Sequence, residues 1–314
     1  MKKAGPGIQP APSGATSAAT PKGKIHPIVI YPYKPGDDPS DVEELYRWVA
    51  QLDADKLTYA RPLTVIDRKT QERLKGSQSF EEFRNHTVAQ CSDIQDAWCV
   101  DTCQMWYTGL GAALDRGGPA DVYWLIPGDF NYGTAFGKEV LSRLHDLPET
   151  VLELGQDICV GEIATHPNHS KQLIDTYGTF ALLYNWFPLQ AREIRELTER
   201  PRSEFFAIGH GFLREVLAQR WFAYEQTMVI LLEAVFSHKQ ISRFFVGQIS
   251  DLPQGRESMD AVIQQVERTE RVLKTLWRER HRAEPDWITQ YRLLETQSEQ
   301  IRRAALIVLQ NLLA

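Results

Sequence analysis

The sequence predicts an α/β domain, a mostly parallel central sheet with flanking helices, followed by a C-terminal helical hairpin. Three observations carry that prediction. Short apolar runs rich in Val and Ile alternate with helically spaced segments between residues 25 and 256. Those runs are nearly continuous in hydrophobicity, as strands covered on both faces are. From Glu257 onward, long stretches of helical spacing amid Arg, Glu and Gln replace the alternation.

Residues 1–24 are rich in Pro, Gly, Ala and Ser and hold almost no large apolar side chain. Burial cannot offset the ordering entropy of such a segment, so a disordered tail is expected. Order begins at Ile25, and Pro27-Ile28-Val29-Ile30-Tyr31 reads as a first strand ended by Pro32. Ser40 suits the N-cap of a helix carrying Val42, Leu45, Trp48, Val49 and Leu52 on one face. Leu63 to Ile66 reads as a second strand ending at Asp67, and Phe80 to Leu114 as helix in two or more pieces. Asp121 to Ile126 is the next buried strand, stopped by Pro127-Gly128. Phe136 to Leu144 has helical spacing, and Asp157 to Val160 is another short strand. Alternation of this kind implies parallel strands joined by helical crossovers over residues 25–256. The hairpin, residues 257–314, has apolar positions from Met259 to Trp277, a break at Pro285 and a second helix from Trp287 to Leu313. Its polar faces mix both charge signs, which fits packing on the domain or on another subunit, as in a homo-oligomer, better than lying on a membrane.

The chain has 314 residues, 43% hydrophobic and 24% charged, the balance of an ordinary globular protein. A net charge of −6 argues against nucleic acid as a partner, because phosphate binding needs a concentrated basic face. No stretch approaches the roughly 20 apolar residues that cross a bilayer. The two lysines at the start precede no apolar segment, so a secretory signal is not expected. Cys91, Cys99, Cys103 and Cys159 lack zinc-site spacing and read as reduced thiols of a cytoplasmic protein.

In parallel sheets, ligands sit outside the carboxyl ends of the strands. The residues to inspect are therefore Tyr33-Lys34, Asp67-Arg68, Gly128 to Asn131, and Gly161-Glu162. Asp129-Phe130-Asn131 carries the chemistry. A carboxylate and an amide oxygen two residues apart on an extended loop face the same way and reach one hard cation. Magnesium or manganese there neutralises a pyrophosphate and stabilises it as a leaving group. The plainer alternative is a turn in which the Asp caps the following helix.

The order of these segments resembles the family-2-like glycosyltransferases of the GT-A fold, of the dolichyl-phosphate mannosyltransferase or mannosylglycerate synthase type. The first strand leads to Pro32-Tyr33-Lys34, where the family has its first donor-binding loop. The second ends in Asp67, matching the acid that holds the nucleotide base. The small-residue segment Gly109 to Leu114 precedes Asp129-Phe130-Asn131, matching the metal-binding Asp-x-Asp. Downstream, the strand ending at Gly161, a Gly-Phe-bearing segment from His210 to Leu217, a helix from Tyr224 to Lys239 and a strand from Ile241 to Val246 follow the family's order. Two departures stand out: Asn131 replaces an Asp, and Asp67-Arg68-Lys69-Thr70 replaces an acidic pair with Gly-Ser.

The resemblance implies a metal-assisted glycosyltransferase moving a hexose from a nucleotide diphosphate sugar to a small or lipid-linked acceptor. Tyr33, Lys34, Asp67 and Asp129 would bind the donor; Asp129 and Asn131, with Asp251 from the loop after the last strand, would hold Mg2+ or Mn2+. Glu204 and His210 lie where the family places its acceptor-side acid, and aromatic neighbours would partly desolvate Glu204. His166 and His169 form a His-x-x-His in a polar loop, with weaker metal chemistry. Two rivals stand beside this reading. A sugar-phosphate nucleotidyltransferase needs a Gly-rich basic loop that Tyr33-Lys34-Pro35-Gly36 does not supply. A non-catalytic sugar-nucleotide sensor or scaffold would explain Asn131. A cytoplasmic location, with peripheral membrane contact for a lipid-linked acceptor, completes the expectations.

Overall fold

Residues 23–30, 42–67, 71–72, 74–92, 101–163, 178–218, 226–249, 259–281 and 303 are described by a computed structural model of the chain. The strands are β1 (Ile25–Ile30), β2 (Leu63–Asp67), β3 (Val88–Ser92), β4 (Val122–Pro127), β5 (Ile158–Ile163), β6 (Phe206–Gly209) and β7 (Ile241–Gly247). The helices are α1 (Glu43–Ala54), α2 (Gln78–Asn85), α3 (Asp101–Leu114), α4 (Ala135–Arg143), α5 (Asp146–Leu154), α6 (Phe180–Trp186), α7 (Pro188–Leu197), α8 (His210–Leu217), α9 (Gln226–Phe236) and α10 (Met259–Arg280).

The seven strands form one sheet in the order β3-β2-β1-β4-β6-β5-β7. From β1 the chain steps outward to β2 and β3, then returns to β4 on the other side of β1. The order therefore reverses between β1 and β4, and a crevice opens at their carboxyl ends. The expected mostly parallel sheet is present, and β6 alone runs against its neighbours β4 and β5. Sequence patterning did not separate β3 or β6. The former is a five-residue edge strand, Val-Ala-Gln-Cys-Ser, whose composition reads equally well as helix. The latter has four residues, below the length at which periodicity speaks.

β1 and β4 are buried along their whole length because both faces are covered. Ile28, Ile30, Tyr123 and Leu125 join one core with α3 and α6 to α10, while Ile25, Val29, Trp124 and Ile126 join a second core with α1, α2, α4 and α5. Two cores on one sheet make a three-layer α/β/α sandwich. The small-residue segment of α3 has a packing reason at Gly109. A Cβ there would lie 2.7 Å from Val65 Cγ2 and 2.9 Å from Ile28 Cγ2, so the helix crosses β1 and β2 at a distance only glycine permits.

The first arm of the expected hairpin is α10. Its Val272, Leu273, Leu276 and Trp277 belong to the sheet's own core, with Trp277 packed on Trp186 at 6.1 Å between ring centroids. Arg280 closes the contact: its Nη2 donates to both carboxylate oxygens of Glu233 at 2.6 Å, and its guanidinium lies 3.7 Å over the Phe236 ring. The second arm, the N-terminal tail through residue 22, and Cys99 lie outside the described residues. His238, two residues past the end of α9, adopts the left-handed conformation, φ 51°, so its place beyond a helix C-terminus is conformational. Among the described residues no helix is long and apolar enough to cross a membrane.

Candidate active site

The turn after β4 is held from several directions. The Gly128 amide donates to Ile30 O of β1 at 2.6 Å, tying the turn to the crevice between the two strands. The Tyr132 hydroxyl donates to Pro127 O at 2.6 Å and closes a loop around Gly128 to Asn131. Asn131 Oδ1 accepts from the Gly133 amide at 3.1 Å, and the Asn131 carbonyl accepts from Thr134 Oγ1 at 3.2 Å. Thr134 is the N-cap of α4, taking the Gly137 amide at 3.0 Å. Helix and turn approach so closely that a Cβ on Gly137 would lie 2.2 Å from Asn131 O.

Because β6 is antiparallel to β4, with Leu125 opposite Phe206, the residues before Phe206 arrive at the edge where β4 ends. Glu204 thereby comes to the Asp129 turn from far along the chain. The Phe130 and Phe205 rings pack together, centroids 5.1 Å apart. Ser203 Oγ donates to Gly161 O at 2.5 Å, and Thr227 Oγ1 donates to Ser203 O at 2.6 Å, fixing the strand entry. A third acid at this edge, Glu162, is occupied structurally, its Oε1 accepting from the Glu199 amide at 2.8 Å.

Tyr132 has no solvent exposure. Its burial, reinforced by the negative charges of Asp129 and Glu204, holds the phenol well above its ordinary range, so it keeps its proton. The turn offers oxygen donors only: the Asp129 carboxylate and Asn131 Oδ1, which has a second lone pair beyond the one taken by the Gly133 amide. Those donors fit a hard divalent cation.

The other sequence-predicted residues fare differently. Asp67 ends β2 at the same edge of the sheet, and its side chain lies outside the described residues, as do Tyr33, Lys34, Asp251, His166 and His169. His210 is placed apart from Asp129 and Glu204. Val122 pairs with Gly209, so His210 begins α8 at the amino end of β4, one six-residue strand away from the turn. At about 3.3 Å per residue that is roughly 20 Å. There its Nδ1 is 2.8 Å from the Tyr123 hydroxyl. The family resemblance grouped Glu204 and His210 in one acceptor-side segment; β6 runs between them and delivers them to opposite edges.

Tyr132 was not singled out by the sequence, where an aromatic beside a turn is an ordinary core residue. A separate group of possible ligands, His145, Asp146 and Glu149, has donor atoms within 4.8 Å of one another at the start of α5. Acidic residues there answer the helix dipole, which accounts for them.

No family model matches the chain, and no curated protein matches it. Solved structures do. Glucosyl-3-phosphoglycerate synthase from Mycobacterium tuberculosis, in complex with Mn2+, uridine diphosphate and glucosyl-3-phosphoglycerate, superposes with a TM-score of 0.53 at 12% identity, covering 86% of this chain and 85% of that one. The same enzyme with Mn2+ and UDP-glucose gives 0.53 at 11% identity, covering 81% and 78%. Its complex with Mg2+ and uridine diphosphate gives 0.51 at 10%, covering 79% of each chain. The chain thus has the GT-A fold of nucleotide-sugar transferases, extending over most of its length.

Proposed function

We propose that this protein is a divalent-metal-assisted glycosyltransferase that moves a hexose from a nucleotide diphosphate sugar to a small or lipid-linked acceptor. The observation that carries the reading is the meeting of the Asp129 turn and the Glu204 segment at the carboxyl end of β4, joined by the Phe130–Phe205 ring pair, within a fold whose solved neighbours were captured with UDP, UDP-glucose and Mn2+ or Mg2+. The motif order supports a family-2-like enzyme of the dolichyl-phosphate mannosyltransferase or mannosylglycerate synthase type. Asp129 and Asn131 would hold Mg2+ or Mn2+, with Asp251 as a further ligand, and Tyr33, Lys34 and Asp67 would bind the nucleotide. The bound ion supplies charge neutralisation to the departing diphosphate.

Glu204 is the acceptor-side acid. In an inverting transfer it takes the acceptor hydroxyl proton as the new bond to the sugar forms and the bond to the diphosphate breaks. The aromatic neighbours Phe205 and Phe206 are buried and limit the water around it. His210 has no part in this assignment, because it stands at the other edge of the sheet.

One observation favours a second reading. Asn131 Oδ1 already accepts from Gly133 N, as in a simple turn, which suits a non-catalytic relative that binds nucleotide sugars as a sensor. Calorimetric titration with a panel of nucleotide sugars, with and without Mn2+, separates the two. Metal-dependent binding with slow donor hydrolysis is the expected result; metal-independent binding without hydrolysis favours the sensor, and no binding rejects both.

A further inference from the structure

We infer that Tyr132 is a positioning residue whose hydroxyl holds the Asp129 turn in the shape that lets it bind a divalent cation. This rests on the glycosyltransferase reading of the site and adds a residue to it. The geometry is that of a clamp. Asp129 lies inside the segment that the hydrogen bond from Tyr132 to Pro127 O closes, and Pro127 is the last residue of β4. The bond therefore fixes a ligand-bearing turn to the rigid end of a fully buried strand.

The ring is also fully buried, and the Phe130 and Phe205 pair ties the same turn to the strand that brings Glu204. The clamp fixes the backbone that carries the ligand residues without supplying a ligand itself. Partners of this kind tune metal affinity by fixing ligand orientation.

Tyr132→Phe keeps the packed ring and removes only the clamp. Its control is at the other edge of the sheet, where Tyr123 is an equally buried phenol bonded to His210. Tyr123→Phe deletes a part-buried phenol hydrogen bond away from the proposed site. Both variants of the full chain are titrated with Mn2+ alone, followed by the electron paramagnetic resonance of free Mn2+, and then with UDP added. The expected result is Mn2+ binding weakened about tenfold or more in Tyr132→Phe, the loss typical of an orienting partner, and unchanged in Tyr123→Phe. Tyr132→Phe binding Mn2+ within about twofold of wild type, a change below that range, overturns the inference while leaving the function standing. Equal weakening in both variants also overturns it, since general loosening would then be the cause. Wild-type protein that binds no Mn2+ overturns the functional reading and the inference together.

Discussion

At the amino end of β4, Asp121 accepts from the Lys24 amide, the Gly118 amide and His26 Nε2, each at 2.8 Å, and Tyr123 pairs with His210. At the carboxyl end, Asp129 and Glu204 both press their charge on the buried Tyr132. The same residue types flank one strand, an Asp and a Tyr at each end, with opposite electrostatics. The amino edge surrounds its carboxylate with donors: burial raises the Asp121 pKa, but the two amides and His26 outweigh it and bring the group below its ordinary value. The carboxyl edge gathers acids around a hydroxyl. A carboxylate satisfied by its neighbours stabilises the fold; carboxylates gathered at a crevice suit a cation. The difference teaches that the position of an acid on this sheet says more about its role than its local sequence does.

The largest test of that contrast is kinetic. Asp129→Ala is expected to lower transfer and donor hydrolysis by about 10²–10³-fold, the scale of losing a principal electrostatic stabiliser, whereas His210→Ala leaves kcat and KM close to wild type. A loss of activity in His210→Ala as large as that in Asp129→Ala would break the division between the edges. Next in size is Asp121→Ala, which removes an acceptor of three hydrogen bonds. Denaturant unfolding should show a loss on the order of 2 kcal/mol, with Mn2+ affinity unaltered.

The same variant sharpens the pH dependence. Because the folded Asp121 pKa is lowered from 3.8, its stabilisation is complete above pH 3.8 and disappears as pH falls through the folded value. Acid unfolding of Asp121→Ala should accordingly be shallower than that of wild type below pH 3.8. Tyr59, whose bridge to Ile25 places it at the amino edge, gives the smallest effect. Burial, then the charge of Glu149, pushes its phenol from 10 to about 12. Stability should decline from pH 10 to about 12 as the unfolded chain ionises first, by on the order of 1–2 kcal/mol. Tyr59→Phe should flatten that alkaline arm, and an unchanged arm would remove Tyr59 from the account.

Much of the fold was legible in the chain. Buried runs such as Ile28 to Ile30 and Val122 to Ile126 announce strands covered on both faces, because no polar position interrupts them. The stop at Pro127-Gly128 likewise put Asp129 just past a strand end, and that holds in the structure. Weak local signals were lost where an element is too short or too mixed to show a period. β6 is the costly example: its four residues, Phe206 to Gly209, are too few to show a period, and without that strand the positions of Glu204 and His210 could not be told apart.

The sequence by itself determined the α/β class and the strand that leads to Asp129, since these depend on residues near one another in the chain; the cap of the following helix, read as the Asp of the turn, is Thr134. Only the tertiary structure decided that Glu204 reaches the edge of Asp129, that His210 does not, and that Tyr132 closes the turn onto Pro127. The physical reason is the direction of a single strand. An antiparallel β6 beside β4 exchanges which end of a short segment meets the crevice, and strand direction is set by crossovers and core packing, not by the residues of the segment.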